Sequence, residues 1–257
     1  TKIGDTNISS KDIHFAGTAS EWEVLNYTGK KKVYVLDETG QEVEYKADPY
    51  SGKCGANATW NFDLETGVLT VSGSGQMSDY TSASGAPWYA LKSQIKKIVI
   101  SDSVESVGNN AFREYPNLTG VILASTVTKI GKYSFATNVE LSEIDLAKVK
   151  TIGDNAFLEC SGITSLNLPD ADSIGESAFL KCTGLENVTL GSAEHCVTKI
   201  GKRAFNICTN LKSIDLSHVD EVGEFSFEGS NLESVNLDGV KTIGQYAFNK
   251  SAELKVI

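Results

Sequence analysis

The chain has 257 residues, of which 33 are acidic and 23 basic, giving a formal net charge of −10. That balance leaves no dominant basic surface for a nucleic-acid backbone. No apolar run approaches the roughly 18 residues that a membrane-spanning helix needs.

Residues 1–50 read as a β-rich N-terminal segment. Ile13-x-Phe15 has the pattern of a strand, and Thr18-Ala-Ser-Glu21 has the spacing of a helix capping box, followed by Trp22 and Leu25 on one helical face. Lys32–Leu36 and Glu42–Tyr45, on either side of Asp37-Glu-Thr-Gly40, predict a hairpin. Thr1-Lys-Ile-Gly4 repeats the wording of Thr128–Gly131 and Thr198–Gly201 further along. The segment is therefore either the end of an earlier repeat block or an independent β-rich module. Thr1 is not an initiator residue and no secretory signal precedes it, which fits a processed or shortened chain.

Residues 51–93 read as a capping module. Ala58-Thr-Trp60-Asn-Phe62-Asp-Leu64 and Val68-Leu-Thr-Val71 alternate around a Thr66-Gly67 turn, so a β-hairpin is expected. Gly73-x-Gly75 is not followed by Gly-Lys-Ser/Thr and does not read as a phosphate loop. A short helix is expected through Pro87-Trp88 to Leu91.

Residues 94–257 are dominated by one phrase, apolar-Gly-x-x-small-Phe, at Gly108, Gly131, Gly153, Gly175, Gly201, Gly223 and Gly244, in steps of 23, 22, 22, 26, 22 and 21 residues. After each Phe comes a second phrase, Leu-x-x-Ile-x-Leu or a close variant, as in Leu141-x-x-Ile144-x-Leu146, whose last two apolar positions alternate like a half-buried strand. A fixed period near 22 residues is the signature of a solenoid of about seven units, each too small to fold without its neighbours. Within the first phrase, Ile, the small residue and Phe read as core and Gly as a backbone turn. The last strand phrase is cut at Ile257, so an open apolar end is expected, covered by a continuation or by end-to-end association with another molecule.

The copy running from Val149 through Ile152-Gly153, Ala156-Phe157, Cys160, Ile163, Leu166 and Leu168 to Pro169 resembles the BspA-like leucine-rich repeats of bacterial surface proteins. The resemblance implies a right-handed superhelix with a parallel β-sheet on the concave face and short helices, 3-10 turns or loops on the convex face. Gly52-x-Cys54-Gly55, Trp60, Gly67-x-Leu69-x-Val71, Met77, Asp79-Tyr80 and Pro87-Trp88 resemble the module that precedes such arrays, and Gly17-Thr18-x-x-Glu21-Trp22 resembles a motif that closes them. It further implies an extracellular or cell-surface scaffold that binds an unidentified protein or glycan, such as host extracellular matrix; the alternative is a structural spacer presenting another module.

Candidate binding residues follow from the solvent-facing row of the strands: Ile122, Glu143, Asp145, Asn167, Thr189, Asp215 and Asn236. The row is poor in Trp, Tyr and Arg, the usual anchors of tight interfaces. Catalysis has no foothold: no G-x-S-x-G elbow and no H-E-x-x-H occur, and no cofactor motif is present. Cys160, Cys182 and Cys208 each stand three residues after a repeat Phe, and stacking would align them. They read as a disulfide between neighbours, a thiolate metal site or a ladder of buried, inert thiols. No Cys-x-x-Cys pair exists among the five cysteines, which favours the inert ladder. In the longest repeat, His195 and Cys196 fall one unit from His218. With Glu194 or Asp220 they could form a borderline metal site, or else a solvated insertion. No sequential ligand motif is present, so no metal is assigned.

Overall fold

A computed structural model describes residues 13–18, 22, 32–44, 48–191, 197–251 and 254–256. The chain divides into two compact units, Thr1–Pro49 and Tyr50–Ile257. In the first, β1 (Ile13–Thr18) runs parallel to β2 (Val33–Leu36), which pairs antiparallel with β3 (Glu42–Glu44) in the expected hairpin. The Asp37 carboxylate accepts the Thr39 and Gln41 amides and fixes the turn. Ile13, Trp22, Val33 and Val35 form a small core. The repeat-like wording at Thr1–Gly4 lies outside the described residues, as does most of the capping-box segment.

In the second unit, β4 (Ser51–Lys53), β5 (Gly55–Asp63) and β6 (Val68–Met77) form an antiparallel meander. The long strand β6 then serves as template for the whole solenoid. Its first half, Val68–Val71, pairs in parallel with Lys97–Ile100 and starts one ladder, while Gly75 and Gln76 pair with Val104 and Ser106 and start another. Between the halves, Gly73 and Gly75 adopt φ of +99° and +77°, and a Cβ on Gly73 would stand 2.0 Å from the Asn57 carbonyl oxygen. This glycine pair is thus a strand corner, the structural reason for the motif. One core runs unbroken from Trp60 and Leu69 of the hairpin to Val235 and Ala247 of the array.

The leucine phrases form the concave row of strands: Lys97–Ile100, Gly120–Leu123, Glu143–Ile144, Ser165–Asn167, Asn187–Thr189, Ser213–Asp215, Ser234–Asn236 and Lys255–Val256, with parallel pairing interrupted after Glu143–Ile144 and after Asn187–Thr189. The Ile-Gly phrases form a second parallel ladder of shorter strands, from Val104–Val107 through Lys129–Ile130 to Thr242–Ile243. The repeat glycines that end it have no positive φ. Their necessity is spatial: a Cβ on Gly153, Gly175, Gly201 or Gly223 would meet the preceding repeat's backbone at 2.6–3.0 Å. Close approach, and not the backbone turn read from the sequence, requires glycine there.

The convex segments contain no helix among the described residues and carry a third ladder built from turns. Two residues per turn are left-handed, at the second and sixth positions after the glycine, for example Asn155 (φ 56°) and Glu159 (φ 61°). Alternate N–H groups consequently point along the solenoid: Asn155, Phe157 and Glu159 donate to the Glu176, Ala178 and Leu180 carbonyls of the next repeat at 2.8 Å each. The same three bonds recur from each repeat to its successor, always in this direction. Inside, Phe112, Phe135, Phe157, Phe179, Phe205, Phe227 and Phe248 stack with centroids 5.2–5.5 Å apart.

A ladder that donates only forward leaves the carbonyls of its first turn without donors. The hairpin module supplies them. Tyr80 N–H donates to Asn109 O at 3.0 Å, and the Trp88 indole N–H donates to Ala111 O at 2.9 Å. The Asp79 carboxylate accepts the Asn109 amide at 2.8 Å, as the Asn109 side chain accepts the Lys132 amide in the next turn. Trp88 is fully buried and stacks on Phe112 with centroids 5.2 Å apart, so it replaces both the amide and the ring of the absent preceding Phe. We expect Trp88→Phe, which keeps a ring but strands the Ala111 carbonyl, to cost about 1–3 kcal/mol. Trp88→Ala should cost about 3–5 kcal/mol. Urea denaturation measures both, and a Trp88→Phe variant within about 0.5 kcal/mol of wild type refutes the indole's capping role.

Candidate functional site

The residues named from the sequence lie in or directly after the leucine-phrase strands, which fall into three separately paired groups. Glu143, Asp145, Asn167, Thr189 and Asp215 are exposed, Asn236 is partly exposed, and Ile122 is 54% exposed. Near Ile122, the glycine at 120 leaves a gap that Lys97 and Glu143 span from opposite sides, 3.5 Å apart. Both are solvated, so the pair contributes little to stability.

Three of these candidates are already engaged in structure. Asp145, Asp215 and Asn236 each accept the backbone amide two residues on, from Ala147, Ser217 and Asp238, at 2.9, 3.0 and 3.1 Å. These Asx turns end the strand and start the loop back towards the second ladder. Asn167 differs because the residue two positions on is Pro169, which has no N–H to offer. Its carboxamide is left facing solvent.

The concavities lie further along. One depression of about 520 Å³ is lined by Glu186, Asn187, Asn210, Lys212 and Ser213, and another of about 290 Å³ by Ser213, Asp215, Ser234 and Asn236 among others. A smaller one of about 130 Å³ lies beside Thr189, Gly191, Asp215 and His218. The first and third lie between the strands Asn187–Thr189 and Ser213–Asp215, whose repeats are separated by the 26-residue step, and the second lies between Ser213–Asp215 and Ser234–Asn236. Asn187, Asn210 and the backbone at Lys212 were not among the candidates read from sequence, where only the longer step marks the place.

The metal reading gains no geometry. His195 and Cys196 lie outside the described residues, and no group of three or more His, Cys, Asp or Glu side chains suited to a metal occurs among the described ones. Cys160, Cys182 and Cys208 are free and buried, and each Sγ–H points to the carbonyl of the preceding repeat's Phe, at 3.0, 3.1 and 3.2 Å. Asn138 fills the same slot and donates to Phe112 O at 2.9 Å. The slot therefore asks for a small buried donor, which explains why Cys and Asn interchange there. Burial pushes the Cys160 and Cys208 thiols up to about 12 and Cys182 well above its ordinary value.

A sequence profile of the BspA type leucine-rich repeat region matches residues 87–195 and 172–257, in six copies. The chain belongs to the BspA-type leucine-rich repeat family. Solved structures of the same architecture include a leucine-rich repeat protein of T. pallidum, with a TM-score of 0.55 at 21% identity over 77% of this chain and 92% of that one. A leucine-rich repeat protein from Eubacterium ventriosum is 19% identical over 80% of this chain and 90% of its own, with a TM-score of 0.40. A leucine-rich cell surface protein from Faecalibacterium prausnitzii is 19% identical over 82% of this chain and 76% of its own, with a TM-score of 0.47. At such identities the likeness shows the fold alone. No curated protein matches. In this BspA-type chain, as in the array it forms, the recurring Ile, Gly and Phe are spent on stacking, and what varies between repeats is the strand face.

Two measurements follow from this geometry. In native protein at neutral pH, Cys160, Cys182 and Cys208 should resist a thiol reagent and react fully after denaturation; complete native labelling rules out the buried ladder. The Asp215 carboxyl titrates below the usual aspartate range, held there first by the Ser217 amide and then by the Ser217 side chain. A depressed folded-state value means that its small stabilisation is present above about pH 4, the unfolded value, and is lost as pH falls through the folded one. Side-chain carboxyl NMR should place the Asp215 midpoint below that of an unstructured aspartate; a midpoint at or above it dismisses the Asx hydrogen bond.

Proposed function

We propose that this BspA-type repeat protein is a non-enzymatic binding scaffold, secreted or held at a bacterial cell surface, that engages a protein or glycan partner through its concave ladder. The observation that carries the reading is the row of solvent-facing side chains on successive strands, from Ile122 to Asn236, presented on a stacked core. Extended concave faces of this kind are what solenoids offer to partners. The family supports a scaffold over an enzyme, and the surface location and the adhesive role are part of the proposal. One observation favours the spacer alternative: the Asx turns at Asp145, Asp215 and Asn236 give those polar residues a structural reason to exist.

The test must separate charge from turn. Asp145→Asn and Asp215→Asn keep an acceptor for the turn while removing charge, and Asn167→Ala removes a carboxamide that caps nothing. Surface plasmon resonance against purified extracellular matrix proteins and glycans should find a partner whose affinity falls at least about tenfold in the triple variant, a loss in the range of interface hot spots. A partner indifferent to all three moves the site off this face, and no partner in the panel favours the spacer.

A further inference from the structure

At most steps of the concave ladder, the carbonyl just before a strand accepts amides from the start of the next one. Thr119 O takes Ser142 and Glu143 N–H at 3.1 Å, Thr164 O takes Glu186 and Asn187 N–H at 2.9 and 3.2 Å, and Lys212 O takes Glu233 and Ser234 N–H at 2.8 and 3.2 Å. Between Asn187–Thr189 and Ser213–Asp215 this bond is missing. Glu186 O and the N–H groups of Lys212 and Ser213 have no hydrogen-bond partner among the described residues, and the two strands are not paired. The residues that carry these orphaned groups, Glu186, Lys212 and Ser213, line the depression of about 520 Å³ together with Asn187 and Asn210. The same bond lapses between Ser142 and Ser165, but the concavities described above lie elsewhere.

On these two adjacent but unbonded strands, one free acceptor and two free donors are together the complement of an amide, the kind of group that meets them at the neighbouring steps. Charge points the same way. Lys212 is drawn to Glu233, 3.3 Å away, leaving the depression lined by neutral amides and a hydroxyl beside the single carboxylate of Glu186. Neither a phosphate nor an apolar helix face finds its complement here. We propose that this junction is an amide-binding site, which takes an Asn or Gln carboxamide or an exposed peptide group of a partner protein between Glu186 O and the Lys212 and Ser213 amides. The inference deepens the scaffold reading and rests on it for the partner, but the site itself can be tested without one.

The experiment titrates the isotope-labelled 257-residue chain with N-methylacetamide and, separately, with methyl glucoside, following backbone amides by NMR. The expected result is a saturable shift at Lys212 and Ser213 with N-methylacetamide, with a dissociation constant on the order of 10 mM for so small a ligand. Asn187→Ala combined with Asn210→Ala, both at exposed positions, should weaken it at least about fivefold without changing the urea midpoint. Non-saturating shifts, or equal shifts at Thr164 and Ser165, overturn the site. Saturation by methyl glucoside with no response to the amide overturns the ligand class in favour of hydroxyl groups. Loss of partner binding in the Asp145/Asn167/Asp215 variant alongside a negative amide titration removes this inference and leaves the scaffold reading standing.

Discussion

Every repeat of this solenoid must bring its backbone almost into contact with the one before it at a single point. That point is the glycine column, where the atoms of the preceding repeat stand at 2.6–3.0 Å from where a Cβ would be in the successive units Gly153 to Gly223. Closeness there sets the pitch, and the pitch sets everything stacked on it: two parallel ladders, a phenylalanine column at 5.2–5.5 Å, and a turn ladder with 2.8 Å bonds. A larger residue in the column opens the pitch locally and loosens all four at once. This explains how a unit of about 22 residues with one large ring can be stable: the interactions that hold it are with its neighbours and share one spacing.

The turn ladder adds a direction. Its peptide units all point N–H towards the C-terminal end, so their dipoles add along the axis as they do in a helix. The two ends of the solenoid are therefore chemically different. At the first turn, Tyr80 and Trp88 satisfy the outward carbonyls of Asn109 and Ala111, and Asp79 satisfies the outward amide of Asn109. At the last described turn, the amides of Tyr246, Phe248 and Lys250 have no partner among the described residues, and Ile243 is 50% exposed where its counterparts Val222 and Ile200 are buried.

The sequence carried the period, the core and the leucine strands because these rest on side chains that recur. Phe and Leu can be counted, and the alternation in Leu141-x-x-Ile144-x-Leu146 spans enough residues to be seen. The second ladder escaped because strands such as Lys129–Ile130 are two residues long, too short for any alternation. The left-handed turn positions escaped for a different reason: Tyr133, Phe225 and Ile207 are residues that rarely adopt φ near 55–60°, and their neighbours' hydrogen bonds impose it. The glycines were legible as necessary but not as to why, since a lone Gly signals a turn and close approach equally well. Of the candidate site, the outward row was legible from alternation. The Asx turns and the missing ladder bond were not, because Asp and Asn are as common on a solvated strand face as in a turn, and an unmade backbone bond leaves no mark on residue type.

A repeat protein acquires a site by departing from its own repeat. In this chain one set of departures falls together: the 26-residue step, the unpaired strands that flank it, and Asn187 and Asn210 beside them. Other polar residues on the strand face cap a turn, as Asp145 does, or pair across a neighbour, as Lys97 and Glu143 do, while Asn167 does neither. Groups that are committed to the scaffold have less to offer a ligand, since a new bond must first break an old one. Uncommitted donors and acceptors on an otherwise regular sheet cost the fold little, because water solvates them in the free protein, and they can exchange that water for a partner. The regular part of the solenoid thus serves as a rigid frame, and at the irregular step backbone and side-chain groups remain available beside a shared depression.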